Sequence, residues 1–249
     1  MSKFKPEEFL NMLMFSDSDH SPLSLQDCCN DLLHWRQKNL SKVGLHKRFN
    51  SRSVEFLKAV LAEQMSLKLD IGHNGSWRAF SRVLIADSCK FFLPKSCKEE
   101  YPGYSNFGVA SIMNIQYAYD LKNGCWQNLE FTKVTQNDQG YSNNTLDRIN
   151  KEDLHIRDLG FITKTFLKGV IDKGAFFLNR LPPQWVTEDC QTGERINWRH
   201  LDQKVNCTNG NHLDTWVRIE NGKNSFPCRL IAVAVPERIW MERIRKGQQ

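Results

Sequence analysis

No apolar run in this chain approaches the roughly 18 residues that a membrane span requires. The first residues, Met1-Ser-Lys-Phe-Lys-Pro-Glu-Glu8, carry no apolar stretch of the kind that leads a secreted protein out of the cell. Both absences point to a cytosolic protein. The eight cysteines include no C-x-x-C pair, and none stands beside a histidine at zinc-site spacing. Scattered thiols in a reducing compartment are read as small buried hydrophobes rather than as a zinc cage. Repeats and low-complexity tracts are missing too. Tyrosine is scarce, and none follows Tyr141.

What remains is the profile of a globular chain. At 249 residues there is room for one or two domains and a full core. Apolar residues at 40% and charged residues at 25% are ordinary for a soluble fold. A formal charge of +6 suits a polyanionic partner without requiring one.

Residues 1–68 read as helical. Phe9, Leu10, Leu13 and Met14 recur at helical spacing after Pro6. Ser24 can cap a helix from Leu25 to about Lys38, with Leu25, Cys28, Cys29, Leu32, Leu33 and Trp35 as its apolar face. Ser41 can cap a short basic helix reaching Phe49, and a longer one follows with Val54, Leu57, Val60 and Leu61 on one side. Two helices, a break and a compact basic helix have the form of a helix-turn-helix. Lys42, His46, Lys47 and Arg48 are then the candidate contacts to DNA phosphates. A small bundle with a solvated basic face is the alternative.

After a Gly- and Asn-rich linker at 69–76, Arg82-Val-Leu-Ile-Ala-Asp87-Ser reads as a short buried strand leading into a carboxylate. Asp-Ser is also common turn composition. A second segment has the same design: Asp153-Leu-His-Ile-Arg-Asp158-Leu-Gly160. Between them, an alternating strand over Val109–Tyr119 meets Asn123-Gly124, a hairpin signal, and a returning strand from Trp126 to Val134. Asp138 can cap a helix over Tyr141–Ile149. Phe161–Asp172 reads as a helix with Phe166, Leu167, Val170 and Ile171 inward, and Ala175–Leu181 as a further buried strand that Pro182-Pro183 stops. A hairpin followed by crossovers gives a mixed α/β sheet, in which the first and fourth strands can lie side by side. Asp87 and Asp158 would then face each other. Beyond Trp185 the chain turns β-rich, with turn clusters at 188–194, 206–211 and 220–224 and a charged helix from Glu237.

The chain resembles the DDE transposases of the insertion-sequence-4 type. The resemblance rests on an ordered set: Leu45-His-Lys-Arg-Phe-Asn50, Ile85-Ala-Asp87-Ser88, Leu93-Pro94, Glu99-Glu-Tyr-Pro-Gly103, Tyr119-Asp-Leu-Lys-Asn-Gly124, Asn137-Asp-Gln139, Arg157-Asp158-Leu-Gly-Phe161 and Asp172–Leu181. It implies a ribonuclease-H-like core over residues 80–181, after the helical DNA-binding domain and before an incomplete β-rich insertion at 182–249. It implies that Asp87 and Asp158, with a helix-borne glutamate, hold two Mg²⁺ or Mn²⁺ ions for cleavage and strand transfer at transposon ends. The implied partner is double-stranded DNA, with no membrane role and room for a homodimer on DNA. The implied location is the bacterial cytoplasm, at the nucleoid when DNA is bound.

The departure from that family is at the third acid. The family carries it in a Tyr-x₂-Arg-x₃-Glu-x₆-Lys pattern, and no tyrosine follows Tyr141. Glu237 and Glu242 lie on a charged segment without that pattern. The expectation is a C-terminally truncated copy that is inactive alone. Its alternative is a non-catalytic DNA-binding remnant that occupies transposon ends or inhibits full-length transposase.

Overall fold

The structure, a computed structural model, describes residues 4–15, 24–69, 75–104, 111–198, 201, 203, 205, 212–236, 238–239 and 241–242. Residues 70–74 of the expected linker, the first residues of the strand expected from Val109, the turn cluster at 206–211, Cys207 and most of the charged terminal helix lie outside these. No described helix is long and apolar enough to cross a membrane. The chain divides into two compact units, Met1–Lys68 and Leu69–Gln249.

The first unit is helical: α1 (Pro6–Phe15), α2 (Leu25–Arg36), α3 (Lys42–His46) and α4 (Ser51–Ser66). Ser24 caps α2 in a reciprocal box with Asp27, and Gln37 ends it in a left-handed conformation at φ 52°. That turn stops α2 two residues short of Lys38. The core gathers Phe9, Met12, Cys28, Cys29, Leu32 and Leu45, with Phe56 and Leu57 of α4 packed against it. The inward face of α1 therefore differs from the expected one. Leu13 and Met14 are exposed, because Phe9 and Met12 take the positions facing α2. Val54 and Leu61 are exposed as well, and Phe56 joins Leu57 inside.

The second unit is mixed α/β. Its strands are β1 (Val83–Phe92), β2 (Ile112–Asp120), β3 (Cys125–Lys133), β4 (Leu154–Arg157) and β5 (Phe176–Leu178) in one sheet, ordered β3-β2-β1-β4-β5. A second, antiparallel sheet holds β6 (Thr187–Asp189), β7 (His212–Ile219) and β8 (Phe226–Val233). Two helices that matter for the site are α5 (Asp138–Asn144) and α6 (Lys164–Asp172). The first and fourth strands lie side by side, as the pattern predicts, and their pairing is parallel. The β2–β3 hairpin turns at Gly124, whose φ of +66° suits glycine. A side chain there would also collide with the Leu69 backbone. Asp120, fully buried at the turn, accepts backbone N–H bonds from Val83, Lys122 and Asn123.

Three details differ from expectation. β1 does not end at Asp87 but continues to Phe92, because antiparallel pairing with β2 runs on to Phe92↔Ile112 after parallel pairing with β4 stops at Ala86↔Arg157. Asn137, not Asp138, caps α5, accepting the Gly140 N–H at 2.8 Å, and the last residues of the expected helix form a separate turn of 3₁₀ helix at Leu146–Arg148. β5 is a three-residue edge strand with Phe176 and Leu178 exposed rather than buried.

The core of this unit lies on one face of the five-stranded sheet. Phe166, Leu167 and Val170 of α6 pack there with Ile149, Ile162 and Ala175, and Ile219 and Phe226 of the second sheet join them. Thr163 caps α6 by accepting the Phe166 N–H. The β-rich stretch after residue 185 thus shares the core of the preceding sheet.

Candidate functional site

Side chains alternate across a strand, so pairing register assigns each residue to a face. Leu84, Ala86 and Ser88 of β1 share a face with Asn114, Gln116 and Ala118 of β2 and with His155 and Arg157 of β4. This is the face covered by α5 and α6. The opposite face carries Ile85, Asp87, Cys89 and Phe91, then Ile115, Tyr117 and Tyr119, then Leu129 and Phe131, and finally Ile156, Phe176 and Leu178. Nothing among the described residues covers it fully: Phe131 is 52% exposed and Leu178 58%.

Asp87 lies in the middle of that open face. Its Oδ1 accepts the Ser88 N–H at 2.8 Å, and the Tyr117 hydroxyl lies 3.5 Å from Oδ2. Burial, and then the Asp87 charge, push the Tyr117 phenol above its ordinary range. Trp126 stands edge-on to both Tyr117 and Tyr119, with centroids 6.0 and 5.1 Å apart, so an aromatic cluster flanks the carboxylate. Asp158 follows β4 directly, with extended φ and ψ of −73° and 164°. Each aspartate is therefore the residue after one member of the last parallel pair, Ala86↔Arg157. Seventy-one positions separate them in sequence, and adjacent strands carry them.

Asp158 is exposed, and its Oδ1 pairs with Arg180 Nη2 at 2.7 Å. The Arg180 guanidinium, with the Leu159 N–H behind it, holds this carboxyl below the usual carboxylate range. Mg²⁺ takes one or two protein carboxylates and fills its other positions with water and phosphate; of these two exposed acids, Asp158 is already paired with Arg180. Among the described residues there is no group of three or more His, Cys, Asp or Glu that could hold a metal. Glu242 is exposed on a described turn of helix, and Glu237 lies outside the described residues.

Sequence reasoning gave Asp138 the wrong task. Its Oδ1 accepts from Ser88 Oγ at 3.1 Å and from Gln116 Nε2 at 3.0 Å, tying α5 to β1 beside Asp87. The Asn137-Asp138 pair held the signal, since only one of two adjacent acceptors can cap a helix. Behind the acids, Arg157 is buried, and its Nη1 and Nη2 donate to Ser142 Oγ and Thr145 Oγ1. Burial brings its guanidinium down to about 10. Burial, and then the Arg157 charge, take His155 to about 4, so its imidazole is neutral.

In the helical unit, Ser41 caps α3 by accepting the Gly44 N–H at 3.1 Å. Lys42, His46 and Lys47 are exposed around buried Leu45. Arg48 is engaged within the unit: its Nη1 donates to the Gly44 carbonyl at 2.5 Å, and its guanidinium lies 5.1 Å from the Phe4 ring centroid.

No protein-family model matches the chain. Curated relatives do. Over 182 residues, 72% of this chain and 38% of the relative, it is 30% identical to the transposase for insertion sequence element IS231B of Bacillus thuringiensis subsp. berliner. The chain is a relative of the insertion-sequence transposases. Over 180 residues it is 31% identical to the transposase for IS1151 of Clostridium perfringens, covering 70% of this chain and 38% of that transposase. Over 145 residues it is 33% identical to the IS231F transposase of Bacillus thuringiensis subsp. israelensis. The chain spans about 38% of the length of the first of these transposases.

Proposed function

We propose that Asp87 and Asp158 are the strand-borne carboxylates of a DDE-class DNA transposase with a ribonuclease-H-like core, of the insertion-sequence-4 type. The observation that carries this reading is the parallel β1–β4 register, which sets two acids from distant segments on neighbouring strands. In this reading Asp87 and Asp158 would be the residues that hold the divalent cations. When bound, Mg²⁺ or Mn²⁺ stabilises charge on the attacking and leaving oxygens of a phosphodiester. Arg180, itself exposed, pairs with Asp158 and would have to release it for a cation to bind there. The Tyr117 hydroxyl steadies Asp87 from the same face.

Among the described residues no third carboxylate joins Asp87 and Asp158. Alone, the chain binds transposon ends through Lys42, His46 and Lys47 and does not cut them. The test incubates purified protein with an end-containing duplex and Mg²⁺ or Mn²⁺. Salt-sensitive binding without nicking is expected, as is loss of all metal-dependent cleavage when Asp87→Asn or Asp158→Asn is placed in a full-length enzyme. Cleavage that survives either substitution rules out the assigned acids. Absence of DNA binding at low salt rules out the DNA-binding role.

A further inference from the structure

Arg157 and Asp158 are neighbours in sequence, yet Arg157 turns to the covered face. It is 9% exposed. Its two terminal nitrogens reach neutral hydroxyls, at 2.6 Å to Ser142 and 3.0 Å to Thr145, and its guanidinium lies 4.1 Å from the Phe166 ring centroid. Its Nε has no hydrogen-bond partner. Hydroxyls and a ring solvate a positive charge without cancelling it. The acids nearby are committed elsewhere: Asp153 to Arg82, with Nη2–Oδ2 at 2.5 Å, and Glu130 to Arg148 at 2.7 Å. Among the described residues no carboxylate pairs with Arg157.

His155, 4% exposed on the same face, leaves its Nε2 without a hydrogen-bond partner, 3.9 Å from Asp153 Oδ2. Both residues line one cavity of about 240 Å³, together with Arg82, Arg148, Asn128 and Tyr141. Arg82 and Arg148 each have a carboxylate partner within 4 Å, whereas Arg157 has none among the described residues. A buried charge without a counter-ion costs several kcal/mol, so such a charge is ordinarily paired. At about 30 Å³ per water the cavity has room for several. Water would satisfy Nε and Nε2 but leave the charge standing.

We propose that this cavity binds a small oxyanion of the inorganic phosphate class, whose oxygens accept from Arg157 Nε–H and His155 Nε2–H. The ion would join β4 to α5 from behind, at the pair Ala86↔Arg157 that precedes both acids. This assignment stands apart from the proposed DNA chemistry, which uses the opposite face.

Thermal unfolding of the 249-residue protein in phosphate and in chloride at equal ionic strength tests it, alongside ³¹P line widths of added phosphate. The expected results are a melting temperature about 3 °C higher in phosphate at tenfold the dissociation constant, and a broadened ³¹P line. Arg157→Gln is expected to lose both responses, and His155→Gln to weaken phosphate binding about tenfold, a readout that stands if the arginine variant does not fold. Lys42→Gln/Lys47→Gln is expected to keep both, and a DNA duplex to leave the line broad. Equal melting in the two salts, a response that persists in Arg157→Gln, loss of it in the lysine variant, or displacement of phosphate by duplex would each overturn the proposal.

Discussion

The two faces of the five-stranded sheet invert the usual rule. The covered face buries Asn114, Gln116, His155 and Arg157. The open face exposes Phe91, Phe131, Phe176 and Leu178. The same strands supply both, one residue out of step. Burial here follows from which helices are present, since α5 and α6 lie on one side only, and the residues on the other side have the composition of a face meant to be covered. Asp87 sits within it.

This contrast can be broken by substitution. Phe166, fully buried against His155 and Arg157, is expected to cost about 4 kcal/mol when changed to Ala. Phe131→Ala on the open face is expected to cost less than about 1 kcal/mol. Urea unfolding of the two variants measures both, and equal losses would mean that the open face is packed in solution.

Titration sharpens the same contrast. His155 has its folded value depressed to about 4 from 6.5, so the unfolded chain takes up a proton that the folded one refuses. Its contribution is full above pH 6.5 and is lost as pH falls towards 4. Between pH 8 and pH 5 the loss is about 2 kcal/mol. Comparing His155→Gln with the parent across that window isolates this loss from the carboxylates, and an unchanged slope would show that the imidazole is hydrated. The smallest effect belongs to the exposed pair. Arg180→Gln is expected to change stability by less than about 0.5 kcal/mol while raising the Asp158 titration midpoint, observable by side-chain carboxyl NMR.

Local signals made much of this legible. Asn123-Gly124 marked the hairpin, Ser24 and Ser41 marked helix starts, and the spacing of Phe166, Leu167 and Val170 marked the inward side of α6. The two acid-tipped segments were legible as a pair because each repeats the same apolar-to-carboxylate pattern. What stayed hidden was set by distant partners. The extension of β1 to Phe92 depends on β2, some 25 positions downstream. The exposure of Phe176 and Leu178 depends on what does not cover them. Asp153 and Asp120 read as ordinary polar residues, yet both are fully buried as anchors for Arg82 and for the hairpin turn. The change of role between Asn137 and Asp138 needed Ser88 and Gln116 to be in place.

The convergence of the acids can be measured without any DNA. Fe²⁺ substituted for Mg²⁺ generates hydroxyl radicals that cut the polypeptide next to the ion. Two cuts are expected, one beside residue 87 and one beside residue 158, both suppressed by excess Mg²⁺ and both lost in Asp87→Asn and in Asp158→Asn. A cut at one strand only, or cutting that either substitution leaves intact, would contradict that convergence.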